Sequence, residues 1–175
     1  GSQAGQGLQG GLGSMGGAQA RCLVARGFDL TVYDVHPPAM QAFAEGARLA
    51  ASIAELGRDA EVVGVCVRDD AQVRDTLEGP GGLLANMRPG SIILIHSTVS
   101  QEAVQELAAQ AAARDIALLD AAVTRTRMDN SGPFVGVMAG GSAEALERAR
   151  PVLDAYATDV FHAGPTGAGV AMKIV

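Results

Sequence analysis

The chain has 175 residues, of which 48% are hydrophobic and 3% aromatic, enough for one domain with a core of small and aliphatic side chains. Nineteen acidic and thirteen basic residues give a net charge of −6 without any Lys/Arg run, which argues against a nucleic-acid partner. No apolar stretch approaches the roughly 20 residues of a membrane-spanning helix. The two cysteines fall in apolar segments and no secretory signal is visible, so we expect reduced thiols and a cytoplasmic location.

The first ten residues predict a weak strand. Gly1-Ser2 resembles the remnant of an expression tag, and residues 6–10 contain only one large apolar side chain, that of Leu8. Central parallel strands are buried on both faces and are usually rich in Val and Ile. We therefore expect residues 1–10 to be a tag and a poorly formed first strand.

A glycine motif follows, Gly11-Leu12-Gly13-Ser14-Met15-Gly16. Apolar residues then recur at helical spacing, and Gly27 stands where that helix would end. The first two glycines of such a motif permit a tight turn and close approach of a pyrophosphate, and the third permits close helix–strand packing. We predict that residues 11–16 bind the pyrophosphate of a dinucleotide at a helix N-terminus. A glycine-rich linker before an ordinary surface helix is the alternative.

Residues 28–34 have the composition of a strand that ends in Asp34. An acid about 20 residues beyond the glycines is typical of a dinucleotide-binding βαβ unit, where it accepts hydrogen bonds from a ribose diol. The same carboxylate would repel a 2′-phosphate. Asp34 therefore predicts NAD rather than NADP.

Helices and strands alternate along the rest of the chain. Further strands are predicted at 48–50, 60–67, 91–96, 116–120, 134–138 and 160–162. Helices are predicted near 40–45, 71–77, 83–86 and 101–114, with others that begin at about 53 and 143. Pro151 should kink or divide the last of these helices. Residues 124–133 are polar and predict a loop. The alternation indicates an α/β fold with a mostly parallel, doubly wound sheet over residues 11–163, and residues 164–175 begin another helix.

Ligands of such sheets bind beyond the carboxyl ends of the strands. The polar residues at the predicted strand ends are Asp34, Arg68, Asp69, Ser97, Thr98, Asp120 and Thr124. Each could instead cap a helix or form a turn. We prefer capping for Asp69 and Asp70, and a functional role for Thr98 and Thr124.

Several segments together resemble the β-hydroxyacid dehydrogenase family, which contains the 3-hydroxyisobutyrate dehydrogenases. They are the glycine motif, Tyr33-Asp34-Val35-His36-Pro37, His96-Ser97-Thr98-Val99-Ser100, Asp120-Ala121-Ala122-Val123 and Gly167-Ala168-Gly169-Val170-Ala171-Met172-Lys173. The resemblance implies a Rossmann-type fold and hydride transfer between NAD and a small β-hydroxyacid or its semialdehyde. It makes Lys173 the catalytic proton-transfer group and places Val67, Arg68 and Thr98 beside the cofactor.

The chain departs from the family pattern at the substrate motif. The family usually continues it with Ser-Gly-Gly, whereas Thr124-Arg125-Thr126 stands here. Thr124 keeps a hydroxyl that could bind a substrate carboxylate. Arg125 could bind an anionic substrate, fill the pocket or point to solvent, and these alternatives stay open.

Family members also have an all-helical second domain, absent from these 175 residues. We therefore expect the cofactor domain of a longer, homo-oligomeric enzyme, inactive as an isolated chain.

Three alternatives to this interpretation remain. Imine reductases share the fold but usually have Asp or Tyr at the position of Lys173. Phosphogluconate dehydrogenases share the lysine, but their phosphate site would lie largely outside this chain. A non-catalytic dinucleotide-binding module is the alternative from a different class, and the change at Arg125 favours it.

Overall fold

The computed structural model describes residues 6–9, 14–129 and 131–174. Its strands are β1 (Gln6–Gln9), β2 (Leu30–Tyr33), β3 (Arg48–Leu49), β4 (Val62–Val65), β5 (Ile92–Ile95), β6 (Ala117–Arg125), β7 (Val135–Gly140) and β8 (Ala157–Gly164). Its helices are α1 (Ser14–Ala25), α2 (Pro37–Gln41), α3 (Ile53–Asp59), α4 (Asp70–Leu77), α5 (Leu83–Asn86), α6 (Gln101–Ala112), α7 (Ala143–Tyr156) and α8 (Ala168–Ile174).

All of these strands form one sheet in the order β3-β2-β1-β4-β5-β6-β7-β8. Every neighbouring pair is parallel except β6 and β7, which are antiparallel. The strand order reverses at β1, which has β2 on one side and β4 on the other. The predicted doubly wound, mostly parallel sheet is confirmed. Such a reversal opens a cleft at the carboxyl edge of the sheet, where dinucleotides bind.

The core has two layers, one on each face of the sheet. We call them the α1/α7 layer and the α6/α8 layer after helices that cover them. Although β5 is apolar throughout, its successive residues enter opposite layers: Ile92 and Leu94 face α1 and α7, and Ile93 and Ile95 face α6 and α8. This alternation follows from the two-residue period of a strand.

The first strand is formed in spite of its composition. Gln6–Gln9 pairs in parallel with β2 on one side and with β4 on the other, at the centre of the sheet. A first strand is therefore present at residues 6–9, and the expectation that it is poorly formed stays a prediction. Gly11, Leu12 and Gly13 lie outside the described residues.

The cap expected at Asp69 and the helix end expected at Gly27 are confirmed, whereas Asp70, also expected to cap α4, instead accepts hydrogen bonds from Ser100. The side chains of Ser52, Asp69 and Ser142 accept hydrogen bonds from backbone N–H groups in the first turns of α3, α4 and α7. Gly27, just after α1, has a φ of +79°, a conformation that favours glycine. The α7 helix continues past Pro151 rather than dividing there.

Strand β6 is the main correction to the sequence-based elements. It continues to Arg125 because residues 120–125 pair with β7 in the register Asp120↔Gly140 to Arg125↔Val135. Thr124 and Arg125 therefore lie on a strand, although their polar neighbourhood predicts a loop. Asp120 lies within the strand and not at its end. Antiparallel pairing satisfies the backbone of this polar segment, which outweighs its composition.

Candidate functional site

The cleft edge begins at the end of β2. Asp34 follows this strand directly and is half-buried, and its Oδ1 accepts a hydrogen bond of 2.8 Å from the backbone N–H of His36. This bond holds the carboxylate at the carboxyl edge of the sheet. Ser14 begins α1, Met15 is half-buried and Gly16 is buried. The first turn of α1 contains no acidic residue, so no carboxylate of that turn competes with an anionic ligand for its N–H groups.

The loops after β4 and β5 are joined by side-chain hydrogen bonds. The backbone N–H of Val67 donates to Ser97 Oγ at 2.8 Å. The backbone N–H and hydroxyl of Ser100 donate to the carboxylate of Asp70 at 3.0 and 2.7 Å. Arg68 lies at the same edge. These hydrogen bonds fix the segment after β4 and the segment after β5 relative to each other.

Lys173 on α8 is fixed by two acceptors. Its Nζ donates to Thr98 Oγ1 at 3.1 Å and to the carbonyl oxygen of Val123 at 2.8 Å. Pairing of β5 with β6 ends at Ile95↔Asp120, so Val123 extends past the end of β5. The structure thus brings Lys173 and Thr98 together at the carboxyl edge, from segments 75 residues apart in sequence.

The start of α8 is held by a residue that sequence analysis placed at a strand end. Asp120 is fully buried. Its Oδ1 accepts from the backbone N–H of Gly167 at 2.8 Å, and its Oδ2 accepts from that of Val170 at 2.9 Å. Both carboxylate oxygens therefore bind the first turn of the helix that carries Lys173.

The residues of the substrate motif are divided between the two faces of β6. Ala121 and Val123 enter the α1/α7 layer, so Arg125 shares their face. Its guanidinium carbon lies 4.9 Å from the ring centroid of Phe134, which belongs to the same layer. Its Nη1 donates to the carbonyl of Arg127 at 3.1 Å. The structure therefore places Arg125 on the face of β6 opposite α8.

Thr124 lies on the other face of β6 and is exposed. It shares this face with Asp120, which contacts α8. Thr126 follows the strand, and its hydroxyl is 2.9 Å from that of Thr158 on β8. Of the three motif residues, Thr124 is the one that alternation places on the side of Lys173.

His96, which begins one of the segments that resemble the family, points into the core. Its Nδ1–H donates to the carbonyl of Ala121 at 2.8 Å, since a carbonyl can only accept. Its Nε2 then accepts from the hydroxyl of Tyr156 at 2.6 Å. Burial lowers the pKa of His96 to about 4. His96 is thus a neutral structural group, and Tyr156 is a partner that no local sequence signal indicates.

Neither a metal centre nor a membrane span is found in the part of the chain that the structure describes. Its residues include no cluster of three or more His, Cys, Asp or Glu side chains that could hold a metal ion. None of its helices has the length and apolar character that crossing a membrane requires.

Comparison with known proteins shows which family has this fold and this cleft. Residues 10–164 match the family described as the NAD binding domain of 6-phosphogluconate dehydrogenase. The NAD-dependent L-serine dehydrogenase of Pseudomonas aeruginosa is 36% identical over 165 residues, which are 94% of this chain and 55% of that protein.

Solved structures agree. Mycobacterium tuberculosis 3-hydroxyisobutyrate dehydrogenase, determined with L-serine, has a TM-score of 0.86 and 31% identity, covering 97% of this chain and 57% of that one. A protein described as Psf3 in complex with NADP+ and 2-OPP has a TM-score of 0.88 and 27% identity, covering 97% and 60%.

The chain spans little more than half the length of the relatives that it matches. The family match covers strands β2 to β8 and helices α1 to α7, and it supports a nicotinamide dinucleotide as the ligand of the cleft. The chain therefore belongs to the family of NAD-binding domains described for 6-phosphogluconate dehydrogenase, and its relatives are oxidoreductases of the 3-hydroxyisobutyrate dehydrogenase kind.

Proposed function

We propose that this chain is the cofactor domain of an NAD-dependent oxidoreductase that interconverts a small β-hydroxyacid and its semialdehyde. The observation that carries the proposal is the ammonium of Lys173, held at the carboxyl edge of the sheet by Thr98 and Val123. Imine reductases, by contrast, usually have Asp or Tyr at this position. The bound nicotinamide supplies or accepts the hydride.

The described residues fit the dinucleotide. The N-terminus of α1, free of acidic side chains in its first turn, suits a pyrophosphate. Asp34 lies at the end of the next strand, where a carboxylate can accept hydrogen bonds from a ribose diol. We propose Val67, Arg68 and Thr98 as further residues along the same edge.

Lys173 would move the proton. In oxidation the neutral amine of Lys173 would take the proton of the substrate hydroxyl and become the ammonium, and in reduction the ammonium would give that proton to the carbonyl oxygen. An ammonium has three N–H donors, and Thr98 and Val123 account for two of them. The third remains to orient the reacting oxygen of the substrate.

The substrate carboxylate would bind on the same face of β6. We propose that Thr124 donates its hydroxyl there, with Thr126 at the end of the strand. Arg125 faces the other way, over Phe134, which disfavours its direct use as an anion clamp. L-serine and 3-hydroxyisobutyrate appear in the names of relatives, and they define the class of substrate that we propose.

Replacing Lys173 with Ala tests the chemical role. In a full-length protein we expect turnover of small hydroxyacids to fall by about 10²–10⁴-fold, the usual contribution of a general acid–base group. Binding of NADH, measured by titration calorimetry, should be unchanged because Lys173 does not lie at the glycine motif. Full turnover by Lys173→Ala would reject the assignment.

Titration of the chain with NADH and with NADPH tests the choice of cofactor. We expect NADH to bind more tightly, because the Asp34 carboxylate repels a 2′-phosphate. Asp34→Ala should reduce this preference. Asp29→Ala is the matched control, since it removes an exposed carboxylate, paired with Arg48, from the opposite end of β2. Equal affinity of the unaltered chain for both cofactors would contradict the proposal.

A further inference from the structure

The helix that carries Lys173 begins at a residue that cannot cap it. The carbonyl of Gly167 accepts the first α8 hydrogen bond, from Ala171 N–H at 3.1 Å, so Gly167 is the N-cap. Its φ is +95°, and a Cβ there would lie 2.7 Å from Gln101 Cγ. Both features favour glycine. Because glycine has no side chain, it cannot accept hydrogen bonds from the free N–H groups of the first turn.

Asp120 supplies the missing cap from the neighbouring strand. One carboxylate oxygen accepts from the N–H of Gly167 and the other from the N–H of Val170, three residues on. In a capping box these two N–H groups are satisfied by two different side chains of the helix itself. Here a single buried carboxylate on β6 does both, and its negative charge complements the N-terminal dipole.

Two glycines allow α8 to approach Asp120 this closely. A Cβ on Gly140 would overlap Asp120 Oδ1 and lie 2.8 Å from the carbonyl oxygen of Pro165. A Cβ on Gly169 would overlap the Met138 carbonyl and lie 2.9 Å from Asp120 Oδ2. The first turn of α8 therefore lies directly against the backbone of β7 at Met138, and the Asp120 carboxylate is its contact with β6.

Strand β6 thus holds α8 at two points. Asp120 binds the first turn, and the Val123 carbonyl binds the ammonium of Lys173. We propose that Asp120 is the positioning residue for Lys173, fixing the start of α8 and so the place of the ammonium at the cleft. This inference rests on the proposed role of Lys173, but its geometric part can be tested without catalysis.

The test uses the fact that Lys173 is the only lysine in the chain. In protein labelled with lysine that carries 13C at Cε alone, this carbon gives a single NMR signal, and the rate of reductive methylation of Nζ can be followed separately from that of the N-terminus. Asp120→Asn keeps the shape of the side chain but replaces one acceptor oxygen with a donor. We expect the Lys173 signal to move toward that of free lysine and methylation to accelerate about fivefold or more, the effect of losing a helix cap.

Ser142→Ala is the matched control, because it removes the cap of α7, whose Ser142 Oγ accepts from Ala145 N–H. It should lower thermal stability without moving the Lys173 signal. Gly169→Ala keeps the carboxylate but displaces α8, and it should shift the Lys173 signal as Asp120→Asn does. If Asp120→Asn does not fold, the Gly169→Ala variant tests the inference in its place. A folded Asp120→Asn variant with an unchanged Lys173 signal and methylation rate would overturn the inference.

Catalysis gives an independent reading in a full-length protein. Asp120→Asn should lower kcat while leaving NADH affinity unchanged. If Lys173→Ala retained turnover, the proposed function would fail. The NMR measurement would still test separately whether Asp120 fixes the position of Lys173.

Discussion

At the scale of single residues, His96 shows how burial turns a familiar reactive side chain into a structural one. Both ring nitrogens are engaged, with Ala121 and Tyr156, and its pKa is lowered from 6.5 to about 4. In the unfolded chain His96 therefore becomes protonated below about pH 6.5, whereas in the folded chain it becomes protonated only near pH 4. Stability must fall as pH decreases across this interval.

We expect the free energy of unfolding to decrease by about 2 kcal/mol between pH 7 and pH 5 because of His96. Urea denaturation at both values measures this loss. His96→Gln, which cannot titrate, should be less stable at pH 7 but lack this component of the pH dependence. The same loss in both proteins would assign the effect to other groups.

At the scale of elements, the contact of α8 with the sheet depends on where β7 has glycine. Gly140 faces the carboxylate of Asp120. Gly136 lies on the same face of β7, but a Cβ there would meet Thr126 Cγ2 at 3.5 Å, an ordinary contact. Two alanine substitutions on one strand therefore differ in what the added methyl group meets.

Gly140→Ala should destabilise the protein by about 1–3 kcal/mol, the usual cost of overpacking. Gly136→Ala should change stability by less than about 0.5 kcal/mol. The difference in urea midpoint between the two variants measures this. Equal midpoints would mean that α8 can move away from the sheet at little cost.

At the scale of the whole molecule, the cleft joins segments from much of the chain. The end of β2, the loops after β4 and β5, and α8 all reach the carboxyl edge of the sheet. The net charge of −6 opposes an anionic ligand, so local N–H groups and not the overall field must bind the phosphates. A ligand across this edge stabilises every segment that it joins.

We expect NADH at 100 times its Kd to raise the free energy of unfolding by about 2.7 kcal/mol. For a domain of this size, that corresponds to an increase in Tm of roughly 5–11 °C by scanning calorimetry. NADPH at the same concentration should give a smaller increase. An unchanged Tm at this excess of NADH would show that the isolated chain lacks a competent cleft.

The local signals in the sequence predicted most of the architecture. The glycine motif with Asp34 indicated a dinucleotide-binding unit, the apolar strands indicated a covered parallel sheet, and Asp69 marked the start of a helix. Each of these patterns depends on residues within a few positions of one another, or on a spacing that one βαβ unit imposes. These patterns in the sequence therefore determined the fold class and the cofactor family, and the resemblance to a known family indicated the candidate lysine.

Tertiary structure decided what depends on pairing between distant segments. The polar residues around Arg125 indicated a loop, but in the structure antiparallel pairing with β7 extends β6 to Arg125. The position of Arg125 on that strand then placed it over Phe134, because neighbouring residues of a strand face opposite sides. Likewise, Asp120 became the cap of α8 only when the fold brought residues 47 and 50 positions apart into contact. Such contacts leave no local pattern, because their geometry is set by the sheet register and not by the neighbouring sequence.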